Sequence, residues 1–352
     1  MLGALIVCLL VSVRQARPGR DGLNALIEEN TMHAFRPCLL LAPILIVASC
    51  TSLAGDFESR PASVQPAAAV IEDRYATSPD GVKIHYLGSG SGPLVIMIHG
   101  FPDYSGTWAK LTPALNDAYR TVAMDTRGYN FSDQPKGVEN YAMAKLVADV
   151  AAVIKAEGRD KAIIIGHDFG AMIAWNFAFD RPEMLDKLVI LSVPHPTTFA
   201  NELATNPVQL RNSQYAVNFQ KEGSEKSLTA EALAGRINDP GEKARYIEAM
   251  KRSDFSAMMN YYRANFPIGK NGPAPGAPPI THPAVTVPVL VLHGVKDPYL
   301  LASGHSGMWN YITKDSTLVM IPDANHNVHH DAPELVNRTI RDWLDARRSS
   351  GR

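Results

Sequence analysis

The chain has 352 residues, of which 46% are hydrophobic and 20% charged, with a formal net charge of -1 at pH 7. That profile fits an ordinary globular protein with a full core, long enough for one large domain carrying an insertion. It excludes a nucleic-acid binder built on a basic surface and a chain too polar to fold.

In chain order, residues 1–49 read as a leader. Two apolar runs, 1–13 and 38–49, are each shorter than the ~20 residues a bilayer span needs. The second follows Met32, His33 and Arg36 and ends in Val47-Ala48-Ser49-Cys50, which resembles the lipobox of bacterial lipoprotein signals. The expectation is a signal at 32–49, upstream translation at 1–31, and a lipid on Cys50. Periplasmic or outer-membrane placement follows from a lipidated Cys50, and secretion from plain cleavage. Membrane contact is expected only through that lipid. All three cysteines, Cys8, Cys38 and Cys50, fall here, so no disulfide or cysteine metal site is expected in the rest of the chain. Residues 50–71, rich in Ser, Ala and Pro, read as a tether.

From 72 onward the pattern is regular. "RYATSPDGVKIHYLGSG" is two short strands about the Pro79-Asp80-Gly81 turn. "PLVIMIHG" is a continuous apolar run that suits a strand buried on both faces, and "RTVAMDTRG", "KAIIIGHD", "LDKLVILSVP", "PVLVLHG" and "STLVMIPDA" repeat it. Met143, Leu146, Val150 and Ile154 recur at helical spacing between two of these runs. Strands alternating with helices predict an α/β fold with a mostly parallel central sheet flanked by helices. The alternation stops over 196–282, which reads as a helical insertion closing in a Gly- and Pro-rich loop. The core is then 72–195 and 283–352, and the charge-mixed stretch 221–253 is expected to be solvated helix faces.

The segment Gly166-His167-Asp168-Phe169-Gly170 places a carboxylate between two glycines where a strand turns into a helix. Such a corner lifts a nucleophile above the sheet, and the helix N-terminus behind it favours negative charge. By itself the pattern also fits a structural turn. "HGFPD" at 99–103 ends an earlier buried strand, and the N–H groups of Phe101 and Phe169 can share one target as an oxyanion hole. Asp297 and His326 each follow a later strand. Asp168, Asp297 and His326 thus come in the order nucleophile, acid, histidine, each at the carboxyl end of a strand, which is the order of α/β-hydrolases.

With these residues in view, the chain resembles α/β-hydrolase-fold epoxide hydrolases. The motifs are "HGFP" (99–102), "RGYNFSDQP" (127–135), "GHDFG" (166–170), "LSVPHP" (191–196) and "SQYAVNFQ" (213–220), and the likeness runs from about 72 to 346. The resemblance implies that 196–282 is a helical cap, that Tyr215 and Tyr262 (with Tyr261 as the neighbouring alternative) hold the epoxide oxygen, and that His326, oriented by Asp297, is the base. It implies a small-molecule epoxide as substrate, no nucleic-acid partner, and neither metal nor other cofactor. The sequence departs from the family pattern at Asn130, Phe169 and Asn325, which stand where glycine, tryptophan and glycine are common. His99 and His167 read as hydrogen-bonding scaffold, while His329 and His330 crowd the base without a cysteine or acid pair in sequence to make a metal site. Two rivals remain: a haloalkane or haloacetate dehalogenase using the same Asp168, and a binding scaffold at the cell envelope that has kept the fold. A serine esterase is disfavoured, because the corner carries Asp.

Overall fold

The computed structural model describes residues 70–266 and 282–348. The leader, Cys50, most of the tether and the loop 267–281 lie outside the described residues. The two predicted N-terminal strands are β1 (Glu72–Thr77) and β2 (Lys83–Ser89), joined through the expected turn. The apolar runs become β3 (Leu94–Ile98), β4 (Arg120–Met124), β5 (Ala162–His167), β6 (Leu185–Leu191), β7 (Val289–Gly294) and β8 (Ser316–Ile321). They form one eight-stranded sheet in the order β1-β2-β4-β3-β5-β6-β7-β8, antiparallel at β1/β2 and β2/β4 and parallel elsewhere.

Every residue of β3, β4, β5 and β7 is buried, because helices cover both faces. The strand period of two divides these side chains between faces. Ile96, Ile98, Ile164 and Ile190 join one cluster with α2 (Met143–Ala156) and α3 (Phe169–Asp180). Val95, Met97, Ile165 and Leu292 join the other, against α1 (Thr112–Leu115) and α11 (Pro333–Asp345), the latter following a single turn, α10 (Val328–Asp331). At about 25 cal/mol per Å² of apolar surface, this two-sided burial is the main source of stability.

Between β6 and β7 the chain forms α4 (Pro196–Thr205), α5 (Pro207–Asn212), α6 (Gln214–Phe219), α7 (Ala230–Leu233), α8 (Pro240–Arg252) and α9 (Phe255–Asn265). Asp239 caps α8 by accepting from Glu242 N at 2.7 Å, and Asp254 caps α9 by accepting from Ser256 N at 2.8 Å. Within the stretch 221–253, read as solvated helix faces, only α8 is long. Gly223 takes a left-handed conformation, and Leu228, Thr229, Ile237 and Asp239 are extended, which breaks 221–239 into short turns. Met250, Met258, Tyr261 and Tyr262 of the insertion belong to the same apolar cluster as the α3 face of the sheet. No helix among the described residues is long and apolar enough to cross a membrane.

The chain leaves β3 toward β4 on one side and later adds β5 on the other. The crevice between the carboxyl ends of β3 and β5 is therefore the topological switch point, where open α/β sheets bind ligands.

Candidate active site

The β5–α3 corner stands at that switch point. Asp168 has φ 51 and ψ -122, a conformation L-residues rarely adopt and that functional corners hold under strain. The glycines make the turn possible. A Cβ on Gly166 would strike the Gly170 carbonyl, and one on Gly170 would strike the Ile98 carbonyl of β3. The Asp168 carboxylate is thereby lifted clear of the sheet between the ends of β3 and β8.

Each oxygen of that carboxylate has a separate partner. Phe101 N–H donates to Oδ1 at 2.8 Å, and His326 Nε2 lies 3.2 Å from Oδ2. His326 Nδ1 donates to Asp297 Oδ2 at 2.7 Å, while Asp297 Oδ1 accepts from Tyr299 N and Leu300 N at 2.8 and 3.0 Å. Two further bonds fix the His326 backbone, whose carbonyl accepts from Ser192 Oγ at 2.6 Å and His167 Nε2 at 3.0 Å. Thr126 N–H donates to His99 Nε2 at 3.0 Å, which leaves His99 Nδ1–H to donate to the Gly100 carbonyl at 2.9 Å. The His99 and His167 rings thus brace the loops on which the Phe101 N–H and the His326 imidazole sit.

The electrostatics follow from this packing. Burial pushes the Asp168 carboxyl up, but the hydrogen bond and charge of His326 outweigh it and hold it below its ordinary value. Burial disfavours charge on His326, and the carboxylates of Asp168 and Asp297 on either side still raise its pKa to about 10. At neutral pH the resting site is therefore an ion pair, with His326 protonated.

The helical insertion brings the tyrosines over this pair. The Tyr262 ring packs edge-on against Phe169 at 4.7 Å and Phe101 at 5.6 Å, and Tyr215 lies 6.2 Å from Tyr262. Among the described residues, neither hydroxyl has a hydrogen-bond partner. Burial first, with the Asp168 charge adding, keeps both phenols protonated far above neutrality. Tyr261, the neighbouring alternative, donates its hydroxyl to the Arg127 carbonyl at 2.7 Å and is committed to the core. The Phe169 N–H opens α3 beside the nucleophile but makes no hydrogen bond among the described residues.

Some functional side chains escaped the sequence reading. Asp103 ends the "HGFPD" loop, and its Oδ2 accepts from Arg236 Nη2 and Thr107 Oγ1, each at 3.0 Å. Tyr246 donates to the Pro102 carbonyl at 2.5 Å, so the insertion grips the loop that carries the Phe101 N–H. Asp103, His329 and His330 each offer one ligand atom within 4.8 Å of the others, a set of metal-binding types. The acid missing near the histidines in sequence arrives from a loop more than 200 residues away. Thr107 Oγ1 sits 2.8 Å from Nε2 of both histidines, and the Arg236 cation shares the carboxylate oxygen. Hydroxyl and cation already engage the ligand atoms, which makes the cluster an anchor for the loop.

Comparison with known proteins agrees with this geometry. The family model of the alpha/beta hydrolase fold matches residues 93–333. Epoxide hydrolase 1 of Caenorhabditis elegans is 33% identical over 284 residues, covering 75% of this chain and 68% of its own length. Epoxide hydrolase 3 of Xenopus tropicalis is 31% identical over 285 residues, covering 75% of each chain. Among solved structures, a mutant epoxide hydrolase from Bacillus megaterium, complexed with its product (R)-3-[1]naphthyloxy-propane-1,2-diol, superposes with a TM-score of 0.71 at 29% identity, over 77% of this chain and 100% of that one. The chain is an enzyme of the α/β-hydrolase fold and belongs to the epoxide hydrolases.

Proposed function

We propose that the protein opens epoxides to vicinal diols through a covalent ester on Asp168. The observation that carries this reading is the pair of protonated, unpartnered tyrosine hydroxyls beside an ion-paired carboxylate at the elbow. Asp168 Oδ2 attacks a ring carbon while Oδ1 stays on the Phe101 N–H. The C–O bond of the ring breaks, and the oxygen takes its proton from Tyr215 or Tyr262, because an alkoxide is a poor leaving group. Asp168 loses its charge on becoming an ester, so His326 loses one of the two carboxylates that raised its pKa. Its proton then passes to the tyrosinate, and the neutral imidazole, still held by Asp297, accepts a proton from water. That water attacks the ester carbonyl, and Oδ1 becomes the oxyanion between the N–H groups of Phe101 and Phe169. Collapse releases the diol, whose alkoxide takes the proton back from His326, and the Asp168 carboxyl then hands the second hydrogen of that water to the imidazole, which restores the resting ion pair. Residues 196–282 act as the cap that delivers the two tyrosines.

Halide displacement finds less support. A halide needs N–H donors, yet Trp175 Nε1 donates to Val193 O, Trp343 Nε1 to Thr317 Oγ1, Trp309 is 57% exposed, and Trp108, whose Nε1 is buried without a partner, stacks on His329 in the apolar cluster of the α11 face rather than beside the tyrosines.

The two half-reactions should respond differently to acid. Ester formation needs Asp168 ionised and should persist to a pH below the ordinary carboxylate range. Ester hydrolysis needs a neutral His326 that has lost Asp168 as a partner, so its acid limb should lie at higher pH. Single-turnover rates of the two steps across pH test this, and coincident acid limbs would remove His326 as the base.

The lipid on Cys50 and placement at the cell envelope form a separate proposal, resting on "VASC" and the apolar run before it. Globomycin treatment of producing cells should shift the mass of the accumulated protein. An unchanged mass defeats the lipid.

A further inference from the structure

One departure from the family pattern has a structural use. Asn130 stands in "RGYN" at φ 45, a backbone conformation that glycine takes freely and asparagine tolerates. Its side chain is almost fully buried and both ends are engaged. Nδ2 donates to Asp125 Oδ2 at 2.7 Å, and Oδ1 accepts from Arg252 Nε at 2.8 Å. The Asn130 N–H donates to Ser253 Oγ at 2.8 Å.

The two ends lead to the two halves of the site. Asp125 Oδ1 accepts from Ser105 N at 2.7 Å, just beyond the loop that presents the Phe101 N–H. Arg252 and Ser253 form the corner between α8 and α9, and α9 carries Tyr262. The same corner leans on this loop at Gly128, whose carbonyl accepts from Asp254 N at 3.1 Å. We infer that Asn130 is a positioning residue that registers Tyr262 against the Asp168 nucleophile by tying the α8–α9 corner to Asp125. Glycine at this place would keep the turn and lose both side-chain bonds.

This inference rests on the covalent reading above, and it makes a prediction that reading does not. Tyr262 gives its proton to the ring oxygen as the ring opens and regains one from His326 before water attacks, so loss of its register should slow ester formation and spare the attack of water on the ester. Asn130→Gly introduced into His326→Gln, with ester followed by rapid-quench mass spectrometry, should form the Asp168 ester about tenfold more slowly, the scale expected for a small misplacement of a catalytic group. In the otherwise native enzyme, Asn130→Gly should leave ester hydrolysis within about twofold. Arg252→Met cuts the same tie from the insertion side while still covering Phe131, over which the guanidinium lies at 4.4 Å. It should reproduce the slowing, and the double variant should be no slower than either single one. An unaltered rate of ester formation in Asn130→Gly overturns the inference, as does an equal slowing of both steps, which would mark general loosening. Absence of any ester in His326→Gln alone defeats the covalent reading and this inference with it.

Discussion

Asp168→Ala should abolish diol formation, by on the order of 10⁵-fold or more, while the protein stays folded. Among the described residues the carboxylate is the only group placed to attack, and an alanine at φ 51 keeps the chain path at the cost of some backbone strain. The companion variant His326→Gln should behave differently. Ring opening needs Asp168, Phe101 N–H and the tyrosines, all of which remain, so the ester forms. Hydrolysis needs a base within reach of Oδ2, and glutamine is none. The expected result is one equivalent of epoxide bound to the Asp168 peptide and no further turnover. Loss of all reaction in both variants, with no adduct, would contradict the sequence of steps. Asp297→Asn should still form the ester and hydrolyse it slowly, since it removes the charge that orients the imidazole 2.7 Å away yet leaves the nucleophile and the base.

The second large effect is expected at the tyrosines. Tyr262→Phe and Tyr215→Phe should each slow ring opening by roughly 10²-fold, the low end of what a positioned acid contributes. The double variant should lose more than the product of the two single losses, because each hydroxyl can partly serve the same oxygen when the other is gone. Binding of the diol product should change far less. Tyr261→Phe is the control. Its hydroxyl is committed to the Arg127 carbonyl, so that variant should cost stability, about 1 kcal/mol for one buried hydrogen bond, with ring opening nearly intact. Equal losses at Tyr261 and Tyr262 would reverse the assignment.

Much of this was legible in the chain. The apolar runs from "PLVIMIHG" to "PVLVLHG" match strands β3 to β7, because a parallel strand buried on both faces has a composition little else shares, whereas "STLVMIPDA" forms the edge strand β8, where Ser316, Leu318 and Met320 are exposed because no strand follows it. The corner at Asp168 could be read because flanking glycines are needed where one backbone passes another. The partnership of Asp168 with Phe101 and His326 followed from where strands end, not from separation in sequence. What stayed hidden depends on tertiary contact. Only the fold decides between Tyr261 and Tyr262, whose side chains leave α9 in different directions, one to a core carbonyl and one over the nucleophile. Arg236 and Asp103, 133 residues apart, carry no local signature of their pairing. Asn130 announced itself only as an oddity in a motif, and its bond to Arg252 gave it a purpose.

The most direct test of the covalent route follows one oxygen atom through a single turnover. With enzyme in excess over epoxide in H₂¹⁸O, water attacks the carbonyl carbon of the Asp168 ester, so the new oxygen enters the carboxylate. The diol then leaves with an oxygen that belonged to Asp168. The expected result is unlabelled diol and an ¹⁸O-labelled peptide containing Asp168. Label in the first-turnover diol, with none in that peptide, would mean that water opens the ring directly and that Asp168 never forms the ester.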